Sequence, residues 1–142
     1  MNICNVVIDT NVIISALRSK RGASYKLVNM LDSNKLKTNI SVPLILEYES
    51  VALSYLDDFN LTESDIKHFL DYLCRIGTRC KIFYLWRPYL NDSRDDLILE
   101  LALNSQSDYI ISYNKKDFKN VKSLGITVLS PKELLQILGE IK

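Results

Sequence analysis

Short runs of β-branched and aromatic residues alternate with helical patterns along this chain. The first run, residues 4–8, ends in Val6, Val7 and Ile8, and an apolar helix pattern follows it directly. The predicted strands are residues 4–8, 37–42, 80–85, 109–112 and 126–129. Strands that alternate with helices form parallel sheets joined by right-handed crossovers, with helices on both faces. The sequence therefore predicts an α/β fold, a three-layer α/β/α sandwich with a central parallel sheet of about five strands.

Capping and turn residues delimit the helices between these strands. The predicted helices are residues 11–18, 23–31, 43–55, 66–76, 95–104 and 131–138. Thr62 with Asp65, and Ser130 with Glu133, have the spacing of capping boxes, and Gly77 is placed to end a helix. The helix over 95–104 is apolar nearly all round, so it is predicted to be buried. No linker or shift in composition divides the chain, and residues 1–142 are predicted to form a single domain.

The composition is that of an ordinary globular protein, with 142 residues, 47% of them hydrophobic and 25% charged. No stretch approaches the roughly 18 apolar residues of a membrane span, and the N-terminus lacks the features of a secretory leader. Cys4, Cys74 and Cys80 are odd in number and lack knuckle spacing, so neither a disulfide framework nor a zinc site is expected. A cytoplasmic protein without membrane contact is therefore predicted.

The net charge is only +1, but the basic residues are clustered. The early cluster is Lys20, Arg21, Lys26, Lys35 and Lys37, and the late cluster is Lys115, Lys116, Lys119 and Lys122. Basic surfaces around an acidic centre would suit a polyanion. The alternative is that each cluster is a solvated helix face.

Three separate segments place an acid where a predicted helix begins. Asp9 follows the first strand, Glu47 lies early in its helix, and Asp95 begins another. In an open parallel sheet, ligands bind outside the carboxyl ends of the strands, so acids supplied there can converge. The single histidine, His68, lies in a polar part of a helix pattern. Convergent carboxylates without His or Cys indicate a hard cation, and Mg²⁺ or Mn²⁺ is the natural occupant.

Each of these acids also has a local explanation. Asp9 is suited to cap the helix that follows it, although Thr10 and Asn11 then supply more polar groups than a cap needs. Asp95 and Asp96 would both interact favourably with a helix N-terminus. Asp96 has capping-pair spacing from a preceding serine, which leaves Asp95 as the stronger site candidate.

The segment SDYIISYNKKDF repeats the pattern of a strand followed by polar residues. Ser112, Asn114 and Asp117 come at or just after the carboxyl end of that strand. Asn114 is equally suited to a simple turn, and Asp117 to a cap before Phe118. The local sequence does not decide between these roles and a place in the site.

Five blocks in this chain resemble the PIN-domain family, in particular the small prokaryotic branch that includes VapC-type toxins. The blocks are VVIDTNVIISAL, SVPLILEYE, DDLILELAL, SDYIISYNKKDF and GITVLSPKELL. They occur in the order found in that family and extend over essentially the whole chain.

The resemblance implies a metal-dependent ribonuclease that is paired with an antitoxin and forms a homodimer. It implies that Asp9, Glu47 and Asp95 bind Mg²⁺ or Mn²⁺. The fourth acidic position departs from the common pattern, because many members have Asp where Asn114 stands, while others have Asn there and an acid at the place of Asp117. We predict that Asp117 supplies the fourth carboxylate.

The remaining polar residues are predicted to support the metal. Asn114 would orient a metal-bound water, with Thr10, Asn11 and Ser112 holding ligands or water. Two other functions remain open. One is a phosphohydrolase or phosphoacceptor domain, although such enzymes generally have a second Asp where Asn11 stands. The other is a PIN-like module that binds RNA or protein without cutting.

Overall fold

A sheet of five parallel strands forms the centre of the computed structural model, which describes residues 3–81, 93–118 and 121–142. The strands are β1 (Cys4–Ile8), β2 (Leu36–Ile40), β3 (Thr78–Arg79), β4 (Tyr109–Ile111) and β5 (Thr127–Leu129). Their order is β3-β2-β1-β4-β5, and every pair is parallel. Val6, Val7 and Ile8 of β1 have no exposed surface, as expected of a central strand covered on both faces.

Helices cover both faces of this sheet. They are α1 (Thr10–Arg18), α2 (Ala23–Val28), α3 (Val42–Ser54), α4 (Glu63–Ile76), α5 (Ser93–Asn104) and α6 (Pro131–Ile137). Helix α1 contacts α2 and α3, α3 contacts α4, and α2 contacts α6, whereas α5 packs on β1, β2 and β4. The fold is therefore the predicted three-layer α/β/α sandwich with a parallel sheet of five strands, and this prediction is confirmed.

The capping residues begin and end the helices as predicted. Thr62 and Asp65 form a reciprocal capping box at the start of α4, and Ser130 and Glu133 form another at the start of α6. Gly77 is the C-cap of α4. Each box satisfies two backbone N–H groups that would otherwise lack partners.

Several boundaries differ from the predicted ones. Val42, predicted as the end of a strand, is the first residue of α3, because the Ser41 side chain accepts the Leu44 N–H and caps that helix. The second helix ends at Val28 rather than continuing through residue 31. Helix α5 begins at Ser93, two residues before the predicted start. Its predicted burial is confirmed, since residues 96–102 are all buried.

The third strand begins at Thr78, two residues before the start of its predicted range at 80–85. The structure has a two-residue strand, β3, immediately after Gly77, and the Cys80 N–H still donates to the Ile40 carbonyl at 2.8 Å. Residues 82–85 lie outside the described residues, as does the predicted loop over 86–92. Among the helices that the structure describes, none is long and apolar enough to cross a membrane.

Candidate functional site

The strand order reverses at β1, which has β2 on one side and β4 on the other. In open α/β sheets this reversal leaves a crevice outside the carboxyl ends of the strands, where ligands bind. Asp9 follows β1 at this point and Ser112 follows β4. Their positions are adjacent because Ile8 pairs with Ile111, and the Asp9 N–H donates to the Ile111 carbonyl at 2.8 Å.

Asp9 both caps α1 and faces the crevice. Its Oδ1 accepts the Thr10 N–H at 2.8 Å, and its Oδ2 accepts the Ser112 hydroxyl at 2.6 Å. The side chain is nearly buried, with 8% of the residue exposed. Asp9 can therefore cap α1 and also belong to the site, because capping engages one carboxylate oxygen and the carboxylate still faces the crevice.

Burial raises the pKa of Asp9 above its usual value, because the charged form loses hydration. The hydrogen bonds from Ser112 and Thr10 act in the opposite direction, since they stabilise the carboxylate. The negative charges of Asp117 and Glu47 raise the pKa further. Asp9 is therefore electrostatically coupled to two acids from distant parts of the chain.

A second layer of hydrogen bonds joins the start of α1 to the segment after β4. The Ser112 Oγ accepts the Asn114 N–H at 3.0 Å and the Asn11 Nδ2 at 3.4 Å. The Asn11 Oδ1 accepts the Tyr113 N–H at 3.4 Å. Ser112 is fully buried, so it supports Asp9 from beneath the crevice.

One pocket of about 500 Å³ contains the four predicted acids. Its lining includes Asp9, Glu47, Asp95 and Asp117, together with Thr10, Asn11 and Asn114. The segments that carry these residues are far apart in the sequence, and the fold brings them to the same edge of the sheet. Of the eight predicted site residues, only Ser112 lies behind the lining.

Asp95 and Asp96 have different surroundings, as the sequence analysis expected. Asp95 is half-buried and lines the pocket, whereas Asp96 is 1% exposed and does not. Successive residues on a helix point about 100° apart, so only one of the two can face the crevice. The predicted capping pair of Asp96 with Ser93 stays a prediction, because the Ser93 side chain lies outside the described residues.

Asp117 and Asn114 are both exposed at the rim of the pocket. Asp117 lies inside a 3₁₀ helix over Lys115–Phe118, and its N–H donates to the Asn114 carbonyl at 3.0 Å. Asp117 lies in the first turn of that helix and does not precede it, so it is not the N-cap residue. Its charge instead acts on Asp9.

Tyr48 links α3, which carries Glu47, to the end of β1 before Asp9, a role that no sequence pattern indicated. Its ring is buried in α3, and its hydroxyl donates to the Ile8 carbonyl immediately before Asp9. Burial raises the pKa of Tyr48 well above its usual value, and the charge of Asp9 adds to that effect. The hydroxyl is therefore neutral and fixes α3 against the end of β1.

The pocket continues beyond the acids along α1 and α3. Ile14, Ser15 and Arg18 line it from α1, and Val51 and Tyr55 line it from α3 and its end. The Arg18 guanidinium lies 5.4 Å from the centre of the Tyr55 ring. No local sequence pattern indicates this contact, since its two members are 37 positions apart.

The chemistry of the acidic end suits a hard divalent cation. Every predicted donor is a carboxylate, hydroxyl or amide oxygen, and a bound cation would offset the burial and the acidic neighbours that raise the pKa of Asp9. Among the described residues, however, no three acidic, histidine or cysteine side chains are close enough together to hold one metal ion. The donor types fit a metal, but the four acids that line the pocket are too far apart for three of them to contact the same ion in this conformation.

Comparisons with known proteins agree with this architecture. A family model described as PIN domain matches residues 5–116. No curated protein sequence matches the chain. Solved structures with a similar fold include a chain in the crystal structure of VapBC2 from Rickettsia felis bound to a DNA fragment from their promoter. The TM-score is 0.62 and the identity 16%, with 89% of this chain and 99% of that chain covered. The chain belongs to the PIN domain family, as the resemblance of its five sequence blocks predicted.

Proposed function

We propose that this member of the PIN domain family is a metal-dependent endoribonuclease and the toxin component of a toxin–antitoxin pair. The observation that carries the proposal is the pocket itself. Four carboxylates from four segments line it at the carboxyl edge of a parallel sheet, and two of them raise the pKa of a third. Carboxylates that lie close enough to disfavour one another's ionised form are typical of a cation-binding site.

Asp9, Asp95 and Glu47 would hold Mg²⁺ or Mn²⁺, and Asp117 would supply the fourth carboxylate. When bound, such an ion lowers the pKa of a water and stabilises the charge on a leaving 3′ oxygen. Ser112 fixes the orientation of Asp9 through the hydrogen bond at 2.6 Å. Thr10, Asn11 and Asn114 line the same pocket, where their side chains can orient water and substrate oxygens.

The toxin assignment rests on the family resemblance and on a fold shared with a chain in the VapBC2 structure. We propose RNA as the substrate, a cognate antitoxin and a second copy of the chain as protein partners, and the cytoplasm as the location. The basic clusters support this proposal only in part. Lys35 and Lys115 are engaged in ion pairs with Glu140 and Glu133, each at 2.5 Å, which favours the solvated-face explanation for those two lysines.

A phosphoacceptor function is the weaker alternative. It would need a second acid at position 11, and Asn11 there contacts Ser112 and the Tyr113 N–H. A non-cutting binding module is the other alternative, and all four acids would then have no chemical role.

Cleavage of mixed cellular RNA tests the proposal. Purified protein is incubated with the RNA and Mg²⁺ or Mn²⁺, with EDTA as the control, and the new ends are sequenced. The proposal predicts cuts at defined sequences that appear only with metal. Intact RNA with both metals would favour the binding module, and trapping of a phosphorylated enzyme would favour the phosphoacceptor.

A further inference from the structure

We infer that Arg18 and Tyr55 form a subsite for one unpaired nucleotide of the substrate strand, with its phosphate on Arg18 and its base on Tyr55. The inference rests on the proposed nuclease function and names a part of the site that the acids do not explain. The subsite lies at the end of the pocket away from the carboxylates, and helices α1 and α3 lead from one end to the other.

The residues of these helices that line the pocket recur at helical spacing. On α1 they are Thr10, Asn11, Ile14, Ser15 and Arg18, and on α3 and at its C-cap they are Glu47, Val51 and Tyr55. Residues separated by three or four positions lie on the same face of a helix. Each helix therefore presents a continuous row of side chains to the pocket, with Ile14 of α1 and Val51 of α3 between the acidic end and the Arg18–Tyr55 end.

Both helices begin at the carboxyl edge of the sheet, because α1 follows β1 and α3 follows β2. The contact between Arg18 and Tyr55 joins them again at the opposite end. Arg18 is nine positions after Asp9, which corresponds to roughly 13 Å along the helix axis. Arg18 is thus placed for a neighbouring nucleotide of the strand rather than for the phosphate held at the acids.

Charge gives Arg18 a specific role in this pocket. The described residues that line it include four carboxylates, and Arg18 is the cation among them. A polyanionic strand is repelled by the acidic end until metal binds there. A guanidinium presents several N–H donors in a plane that matches a phosphate, so it gives the strand an attractive contact at the other end.

Tyr55 holds Arg18 and remains accessible. The guanidinium lies 5.4 Å from the ring centroid, a distance at which a cation is attracted to an aromatic face. Tyr55 is 42% exposed, unlike the fully buried Tyr48 of the same segment. An accessible aromatic ring beside a phosphate-binding cation is the arrangement by which proteins stack unpaired bases.

Binding of a labelled single-stranded RNA, measured in Ca²⁺ so that the acids are neutralised and little cleavage occurs, tests the subsite. Arg18→Gln should weaken binding about tenfold and lower the slope of log K against log salt by about 0.7, the value for one phosphate contact to a single strand. Arg75→Gln is the matched control, because Arg75 is also an exposed arginine in the last turn of a helix but lies outside the pocket. It should change neither quantity.

Tyr55→Phe keeps the ring and should bind RNA as wild type does. Tyr55→Leu removes the aromatic face and should weaken binding about five- to tenfold for single strands and not for the same sequence as a duplex. Circular dichroism of each variant confirms that the fold is unchanged. The subsite is refuted if Arg18→Gln loses no more affinity than Arg75→Gln, if Tyr55→Leu binds as tightly as Tyr55→Phe, or if wild type does not bind the strand.

The same proteins assayed with Mg²⁺ or Mn²⁺ separate this inference from the proposed function. Arg18→Gln should raise KM with little change in kcat, because the contact is made before and during the reaction alike. If wild type binds RNA through Arg18 but cuts nothing, the nuclease proposal is wrong and the subsite stands as a binding site. If wild type cuts RNA and Arg18→Gln has an unchanged KM, the subsite is wrong and the nuclease proposal stands.

Discussion

Burial and the charges of Asp117 and Glu47 oppose ionisation of the Asp9 carboxyl group. The folded protein without metal therefore binds the Asp9 proton more tightly than the unfolded chain, for which the pKa is near the usual 3.8. Stability falls as the pH rises from that value through the raised folded pKa, and the penalty is complete above it.

Asp9→Asn should remove this penalty. In metal-free buffer at neutral pH, we expect the variant to have a higher free energy of unfolding than wild type, because Asn also caps helices well and carries no charge. Urea denaturation at several pH values measures the effect, with the exposed Asp71→Asn on α4 as control. A lower stability of Asp9→Asn than of wild type at neutral pH would contradict this account of the pocket.

Substitutions of Asp117 and Asn114 test whether charge or hydrogen bonding at the rim of the pocket matters for metal binding. Asp117→Asn should weaken Mn²⁺ affinity, because an amide cannot offset the charge of the cation as a carboxylate does. Asn114→Asp should preserve or strengthen it, since it adds an acid to the same pocket. Titration of Mn²⁺ into both variants by calorimetry gives the affinities. An unchanged affinity in Asp117→Asn would leave a site of three carboxylates.

At the scale of elements, local rules predicted most of the fold. The capping boxes at Thr62 and Ser130 begin α4 and α6 where their spacing indicates, because both partners of each box lie within one turn. The start of β3 was predicted two residues too late, because its pairing depends on contact with β2 rather than on its own residues. A strand of that length has too few residues to show an alternating pattern.

Gly77 connects α4 to β3 at a position where a side chain has no room. A Cβ atom there would meet the Leu73 carbonyl oxygen at 2.8 Å and the Ile40 side chain at 3.0 Å. The backbone conformation itself is open to other residues, with φ at −76°, so the cost comes from these contacts alone.

Gly77→Ala should lower the free energy of unfolding by about 1–3 kcal/mol, the usual cost of overpacking. Gly22→Ala is the control, because a Cβ there would find its nearest neighbour only at 4.0 Å. Urea denaturation of both variants measures the difference. Equal stability of the two would mean that α4 and β2 can move apart at no cost.

At the scale of the whole molecule, the fold brings site residues from separate segments into one pocket, whereas each sequence pattern indicated only its own residues. The positions of Asp9, Glu47 and Asp95 were predictable, because each follows from the rule that parallel strands deliver their carboxyl ends to one edge. The contact of Tyr48 with Ile8 and that of Arg18 with Tyr55 were not, because each depends on how α3 packs beside β1 and α1. No local pattern encodes that packing.

Divalent metal should stabilise the folded molecule. A ligand that binds only the folded state contributes about 2.7 kcal/mol at a hundred times its Kd, which corresponds to an increase in Tm of about 5–10 °C for a chain of this size. Mn²⁺ should act at least as strongly as Mg²⁺, and Ca²⁺ should bind while supporting little turnover. Thermal denaturation with each ion measures this, and an unchanged Tm together with no calorimetric heat would mean that the pocket does not bind metal.

Cleavage by Asp95→Asn tests the central claim most directly, namely that the acids lining this pocket form the catalytic site of a nuclease. The variant and the control Asp71→Asn are compared with wild type on one single-stranded RNA in Mn²⁺, after circular dichroism has shown equal helix content. We predict that Asp95→Asn loses at least about a hundredfold in rate, as expected for loss of a metal ligand, while Asp71→Asn cuts as wild type does. An Asp95→Asn rate within about tenfold of wild type would contradict the account, because that much activity exceeds what an intact fold lacking a metal ligand should retain.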